Sequence, residues 1–209
     1  NINSYNDNRV LGAENIHLAG SKTMVETILG FKFRLGPTSF FQTNYLGAQL
    51  LFTEIQQMVP VKINFALDLY AGLGPLSVII AEHTNQVVAI EASPQSVNDG
   101  IASLGLNKNK NISFIKSDVE QTLQEKSFEA VDLVTLNPPR AGCGEIVAHL
   151  LRDKIAPQKI IYVSCNPASL KRDLQILCHQ NYTIHRVIPI DMFPNTPHLE
   201  TVVELRKQH

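Results

Sequence analysis

Asp68-Leu69-Tyr70-Ala71-Gly72-Leu73-Gly74-Pro75 decides the fold. The run leading into it, from Ile63 to Tyr70, reads as a buried strand, and residues 75–82 read as a helix. Two glycines at the junction let the backbone approach a ligand closely, and the helix start beyond them offers free N–H groups. A dinucleotide fingerprint wants a third Gly or Ala, but position 77 is Ser. Pro75 removes one N–H, which suits the first helical position and weakens a pyrophosphate cradle. A ligand without phosphates fits this turn better.

The same rhythm continues downstream. Strands are expected at Val87–Glu91, Ile112–Ile115, Val131–Leu136 and Ile160–Ser164. Helices are expected after Pro94 (weakened by Gly100), after Asp118, around Glu145–Leu151 and over Ala168–Cys178. Two last apolar runs, Ile184–Ile190 and Thr201–Leu205, have no helix between them and should pair antiparallel. Five β-α units and a closing strand pair predict an α/β, Rossmann-like, doubly wound, mostly parallel sheet with an antiparallel C-terminal strand. Upstream, Phe31, Phe33 and Leu35 alternate with Lys32 and Arg34 as in a half-buried strand that ends at Gly36-Pro37. Thr43 or Asn44 can cap a helix with Ala48, Leu51, Phe52, Ile55 and Val59 at helical spacing. The expected division is a small β-rich appendage over residues 1–43 and a main domain over 44–209.

Ligands of an open α/β sheet bind at the carboxyl ends of its strands, so the residues there carry the chemistry. Glu91 ends the second strand, where a carboxylate can accept both hydroxyls of a ribose. Asp118 follows the third and can accept from an adenine amino group. Singly, either is more often a helix cap or a solvated charge; in series with the Gly72–Gly74 turn they match an adenosyl pocket. Asn137-Pro138-Pro139-Arg140 ends the fourth strand, its prolines holding the backbone extended and Arg140 able to hold a phosphate or carboxylate. Cys165 leaves the fifth in Tyr162-Val163-Ser164-Cys165-Asn166-Pro167. A free cysteine is commonly a small buried hydrophobe, which suits Cys178 on an apolar helix face better than Cys165 at a strand exit. Glu200 sits on the Pro-rich stretch from Asp191, just before the last run. A thiol and a carboxylate on neighbouring loops suggest covalent catalysis. His198 has no second ligand at suitable spacing, so no metal site is expected there.

Size and composition narrow the classes. The 209 residues suffice for one substantial core, and 44% hydrophobic against 18% charged residues argues against extensive disorder. No run approaches the roughly 20 apolar residues of a membrane span, and the polar start is unlike a signal peptide. Three cysteines at no metal-like spacing point to a reducing cytoplasm. A net charge of −1 lacks the basic surplus usual in nucleic-acid binders, so any RNA surface must be polarised or completed elsewhere. The chain lacks an initiating Met, which suggests a piece of a longer protein.

Five ordered segments together resemble the RNA 5-methyluridine methyltransferases of tRNA and 23S rRNA: Ser39-Phe40-Phe41-Gln42-Thr43-Asn44, the Asp68 turn, Asn137-Pro138-Pro139-Arg140-Ala141-Gly142, the Cys165 segment, and the stretch from Asp191 to Val202. The resemblance runs from about residue 36 onward. It implies a class I methyltransferase fold, S-adenosyl-L-methionine as donor, and an RNA uridine as acceptor, with 23S rRNA the first expectation. It further implies a donor pocket of Gln42, Tyr70, Gly72, Gly74, Glu91, Asp118 and Asn137, with Cys165 as nucleophile and Glu200 as base. Phe41, Arg140 and Phe193 would meet the target base, with Phe40 a further stacking surface. A cytoplasmic monomer without membrane contact, metal or iron–sulfur cluster is expected. The family usually has Asp at position 137; the neutral amide here can still accept through its oxygen. Many members add an N-terminal RNA-binding barrel, and some an iron–sulfur cluster, so this chain resembles the catalytic domain plus part of a central domain.

The residue types suit that chemistry. C5 of uracil is a poor nucleophile until a thiolate adds at C6, and a carboxylate can then remove the C5 proton. Three rival readings stand beside it. An amino-group methyltransferase would use Asn137-Pro138-Pro139, but an aromatic residue is expected next where Arg140 stands. A nicotinamide oxidoreductase is opposed by Ser77 and Pro75. A non-catalytic RNA-binding module is opposed by the near-neutral charge.

Overall fold

The computed structural model describes residues 16–196 and 199–208, and its first element is a hairpin. Its strands β1 (Met24–Ile28) and β2 (Phe31–Leu35) pair antiparallel, with Ile28 opposite Phe31. The two-residue turn places Leu29 at φ 50° and Gly30 at φ 82°, the doubly left-handed geometry that matches strand twist. Next come helix α1 (Tyr45–Met58), capped by the Asn44 side chain, and strand β3 (Ile63–Leu69). The alternation then runs α2 (Pro75–Ala81), β4 (Thr84–Glu91), α3 (Pro94–Asn107), β5 (Ile112–Lys116), α4 (Val119–Glu125) and β6 (Leu133–Leu136). It closes with α5 (Glu145–His149), β7 (Lys159–Ser164), α6 (Pro167–Leu177), β8 (Tyr182–Ile190) and β9 (Glu200–Lys207).

The seven-stranded sheet has the order β5-β4-β3-β6-β7-β9-β8. The first five are parallel neighbours, while β9 runs antiparallel to both β7 and β8. This is the expected doubly wound sheet, with β9 inserted between β7 and β8. Both faces are covered, which is why Ile160-Ile161-Tyr162-Val163 is apolar throughout instead of alternating. Ile161 and Val163 join the core under α1 and α2; Ile160 and Tyr162 join the opposite one, with Val147 and Leu170.

Two helices differ from expectation. Gly100 does not weaken α3, which is continuous across it; a Cβ there would fall 2.5 Å from the Phe114 ring, so the glycine permits close helix–sheet packing. Helix α5 does not end at Leu151 but continues through a π-helical turn over Leu150–Ile155, stopped by Ala156 at φ 44°.

The hairpin is built into the main core, to which Ile28 and Phe33 belong. Helix α3 presents Asp99, Ser103 and Asn107, spaced at i, i+4 and i+8 on one face, to the outer edge of β2. Asn107 bonds both the N–H and the C=O of Lys32, at 2.8 and 2.7 Å, and Ser103 Oγ accepts the Arg34 N–H at 2.9 Å. Buried Asp99 accepts from Arg34 Nε at 3.0 Å, from the Gly36 N–H at 2.8 Å and from the Ser39 hydroxyl. Helical side chains thus stand in for a neighbouring strand, and they anchor the Ser39–Gln42 segment.

Candidate active site

The carboxyl ends of β3, β4, β6 and β7 open into one cleft of about 620 Å³. The start of β9 reaches the same edge because that strand runs the opposite way. Of the residues predicted from sequence, Phe41, Gln42, Tyr70, Gly72, Glu91, Asn137, Arg140, Cys165, Phe193 and Glu200 all line it. Gly74 sits just behind the wall as the N-cap of α2.

On the β3–β4 side the turn is held tightly. Tyr70, at φ 57°, occupies a left-handed conformation that costs a non-glycine residue. The Ala71 N–H donates to the Ile90 carbonyl at 3.1 Å, tying the turn to β4. Glu91 accepts from the Gly72 N–H at 2.9 Å through one oxygen and from the Ser93 N–H at 2.7 Å through the other. Near the end of β3 lies Asp68, to which the local sequence pattern gives no role, and which also touches the cleft. Burial pushes its carboxyl up to about 6, opposed by hydrogen bonds from Ser77 Oγ at 2.5 Å and Thr135 Oγ1 at 2.8 Å. Ser77, the residue that spoils a dinucleotide fingerprint, is therefore one of the two side-chain donors to this acid. Phe41 packs on Phe33, with ring centroids 5.6 Å apart, whereas Phe40 is 72% exposed at the mouth.

Asp118 is not among the residues lining the cleft. It is exposed, and its Oδ1 accepts the Gln121 N–H at 3.1 Å as the N-cap of α4. Because α4 begins at the very next residue, the side chain is turned to satisfy its own helix. Phe52 and Ser96 also line the cleft; Phe52 sits among apolar positions at helical spacing, which reads as packing, and nothing in the local sequence marks Ser96.

On the β7–β9 side, Ser164 pairs with Thr201. The pairing stops there, and the next residue at each strand end is Cys165 and Glu200, both lining the cleft and close enough for the Glu200 charge to act on the thiol. Cys165 is partly exposed to the cleft, while Glu200 is only 6% exposed and its Oε2 has no hydrogen-bond partner among the described residues. Burial pushes the Glu200 carboxyl up to about 7. The Cys165 thiol is also pushed up, first by burial and then by the Glu200 charge; the Arg140 guanidinium opposes both. Phe193 stands at the rim, 37% exposed, on the 191–199 segment. That segment is tied to α1 by the Asn44 amide, which donates to the Met192 carbonyl at 3.1 Å. His198 lies outside the described residues, among which no group of three acidic, His or Cys side chains could hold a metal ion. Nor is any described helix long and apolar enough to cross a membrane.

Such a sheet, mostly parallel with β9 inserted antiparallel between β7 and β8 and a glycine turn at its carboxyl edge, has the class I methyltransferase fold, and solved structures agree. The tRNA (uracil-54, C5)-methyltransferase of Pyrococcus abyssi, solved with S-adenosyl-L-homocysteine, superposes with a TM-score of 0.83 at 28% identity, over 97% of this chain and 49% of that one. The tRNA m1G37 methyltransferase of M. jannaschii, at 16% identity and a TM-score of 0.68 over 93% of this chain and 60% of that one, shares the fold alone. The tRNA (uracil-5-)-methyltransferase family model matches residues 23–208, and the chain belongs to that family. Uncharacterized RNA methyltransferases of Geobacter sulfurreducens and Thermotoga maritima are 37% and 39% identical over 100% and 91% of the chain. The chain spans only 42% and 43% of those two relatives' lengths.

Proposed function

We propose that this chain is the catalytic part of an enzyme that moves a methyl group from S-adenosyl-L-methionine to C5 of a uridine in RNA. The observation that carries the reading is the neighbouring pair Cys165 and Glu200, in the same cleft as the Gly72 turn and Glu91. The cleft suits the donor: it pairs an apolar wall of Phe41, Leu73 and Leu76 with a carboxylate at the end of β4, and nothing lies within 4 Å of where a Gly72 Cβ would be. Glu91, already joined to the turn, would take the ribose hydroxyls; Tyr70, Gln42 and Asn137 would enclose the rest. When bound, the sulfonium supplies an electrophilic methyl group.

The residues of the chain do the remaining work. The Cys165 thiolate adds to C6 of the uracil, and the electron pair of the C5–C6 double bond moves to C5 and the O4 enolate. After C5 takes the methyl, Glu200 accepts the C5 proton, the double bond reforms and the C6–S bond breaks, returning the thiolate. A carboxyl near 7 is matched to proton transfer at neutral pH. Its Oε2, without a hydrogen-bond partner among the described residues, can receive the proton. Arg140 beside the thiol favours its charged form. The exposed Phe40 and Phe193 offer faces for a base taken out of its stack.

An amino-group methyltransferase would leave Cys165 and Glu200 without a task. The test is incubation with labelled donor and total RNA, followed by nucleoside analysis. Label in 5-methyluridine is the expected result; label on an exocyclic amine would overturn the reading.

A further inference from the structure

Helix α6 grips the loop that follows β6 more closely than packing requires. The Asn166 side chain caps α6 by accepting the Ala168 N–H at 3.0 Å and also donates to the Arg140 carbonyl at 2.9 Å. Ser169 Oγ lies 3.1 Å from that same carbonyl. Arg172 donates to the Ala141 carbonyl at 2.8 Å and is held by Asp173 Oδ1 at 2.7 Å. Fully buried Asp173 accepts, through Oδ2, the Cys143 N–H at 2.9 Å and the Tyr162 hydroxyl at 2.6 Å. Between these anchors Gly142 turns at φ 82°, where any Cβ would strike Asp173 Oδ2. Four consecutive loop residues, 140 to 143, are therefore seated on one helix, and that helix begins two residues after Cys165.

We infer that Arg172 and Asp173 are positioning residues, which seat the loop on α6 so that the Arg140 side chain stands beside Cys165. The inference rests on the covalent reading of Cys165. Helix α6 joins the two halves of the acceptor site: its N-terminus follows the nucleophile, and its first turns hold the backbone that carries the cation. The charged groups facing the thiol are Arg140 from this loop and Glu200 from β9. With the loop released, Arg140 leaves and the Glu200 charge acts unopposed. The thiolate then becomes scarcer at a given pH. Neither Arg172 nor Asp173 lines the cleft, so neither is called catalytic.

The experiment is alkylation of Cys165 by iodoacetamide across pH, read peptide by peptide so that Cys178 does not interfere, on the whole chain without RNA. Arg140→Ala should raise the pH midpoint and slow alkylation at neutral pH by about 3–10-fold, for a shift of roughly half to one unit. Arg172→Leu and Asp173→Asn should reproduce most of that rise, with donor binding within about 2-fold of the parent. Lys171→Ala, which removes an exposed charge on the same helix, should leave the midpoint in place. Arg172 is partly exposed, so its variant remains informative even if Asp173→Asn fails to fold. The inference is overturned if Arg140→Ala moves the midpoint and a folded Arg172→Leu does not, or if Arg140→Ala has no effect. Absence of any protein–RNA adduct in the parent chain would instead sink the covalent reading, and alkylation would be unaffected.

Discussion

The two sides of the cleft treat their carboxylates in opposite ways. On the β3–β4 side, both oxygens of Glu91 and both of Asp68 are already hydrogen-bonded within the chain. On the β7–β9 side, Glu200 is as buried as a core residue, yet one oxygen has no hydrogen-bond partner among the described residues. An unsatisfied buried polar atom costs on the order of 1–3 kcal/mol, and such costs are kept where function needs them. On the proposed function, the first side is a finished receptacle and the second holds its reactive groups in reserve. If that contrast is right, changes on the β7–β9 side act on the chemical steps, and changes on the β3–β4 side act on donor binding.

The hardest attempt to break the contrast is Cys165→Ala. Methyl transfer should fall by on the order of 10⁴-fold or more, while donor affinity measured by calorimetry stays within about 2-fold. Normal turnover would end the covalent scheme. Next is Glu200→Gln, expected to slow turnover by roughly 10²–10⁴-fold and to leave RNA attached to the protein on denaturing gels. Normal release with no retained RNA would remove Glu200 as base. Glu91→Ala should weaken donor binding by about 10–100-fold, the worth of hydrogen bonds to a charged group, with kcat at saturating donor nearly unchanged. A loss confined to kcat would erase the distinction between the two sides.

Stability sharpens the same contrast through pH. Burial raises the Glu200 carboxyl from its ordinary 4.5 to about 7, so the folded chain holds that proton more tightly than the unfolded one. The stability this contributes is complete below pH 4.5 and is lost as pH rises through 7. Glu200→Gln cannot ionise. Its melting temperature relative to the parent should therefore be higher at pH 8 than at pH 5, by roughly 2–4 °C for each kcal/mol relieved. Equal differences at both pH values would mean that the carboxyl is not held in its raised state.

The amino-acid order made the strand ends readable, because apolar runs that stop at Gly, Pro or a lone acid signal both a buried strand and its exit. That is how Tyr70, Glu91, Asn137 and Cys165 were placed on one edge. Pairing of the last two strands was readable too, but not that β9 enters between β7 and β8. That insertion is what brings Glu200 beside Cys165, and strand order is a long-range property that no local pattern encodes. Buried polar anchors were equally hidden. Asp99, Ser103 and Asn107 repeat at helical spacing, which marks a face but does not say what the face holds; Asp173 reads as an ordinary helix charge until Tyr162 and Cys143 are folded against it.

Asp118 offers the smallest and most discriminating test. Its place in the series of strand ends suggests a donor contact, whereas its hydrogen bond to the Gln121 N–H assigns it to the start of α4. The two roles make different demands on substitution. As a cap, Asp118→Ala should cost about 1 kcal/mol of stability, and Asp118→Ser should restore most of it, because a hydroxyl caps as well as a carboxylate. As a donor contact, Asp118→Ser would keep the cap and still lose affinity. The geometry predicts that donor affinity changes by no more than about 3-fold in either variant, since the side chain lies off the cleft wall and is satisfied by its own helix. A loss of tenfold or more in the serine variant at unchanged melting temperature would move Asp118 into the receptacle and extend the prebuilt side of the cleft to a third strand.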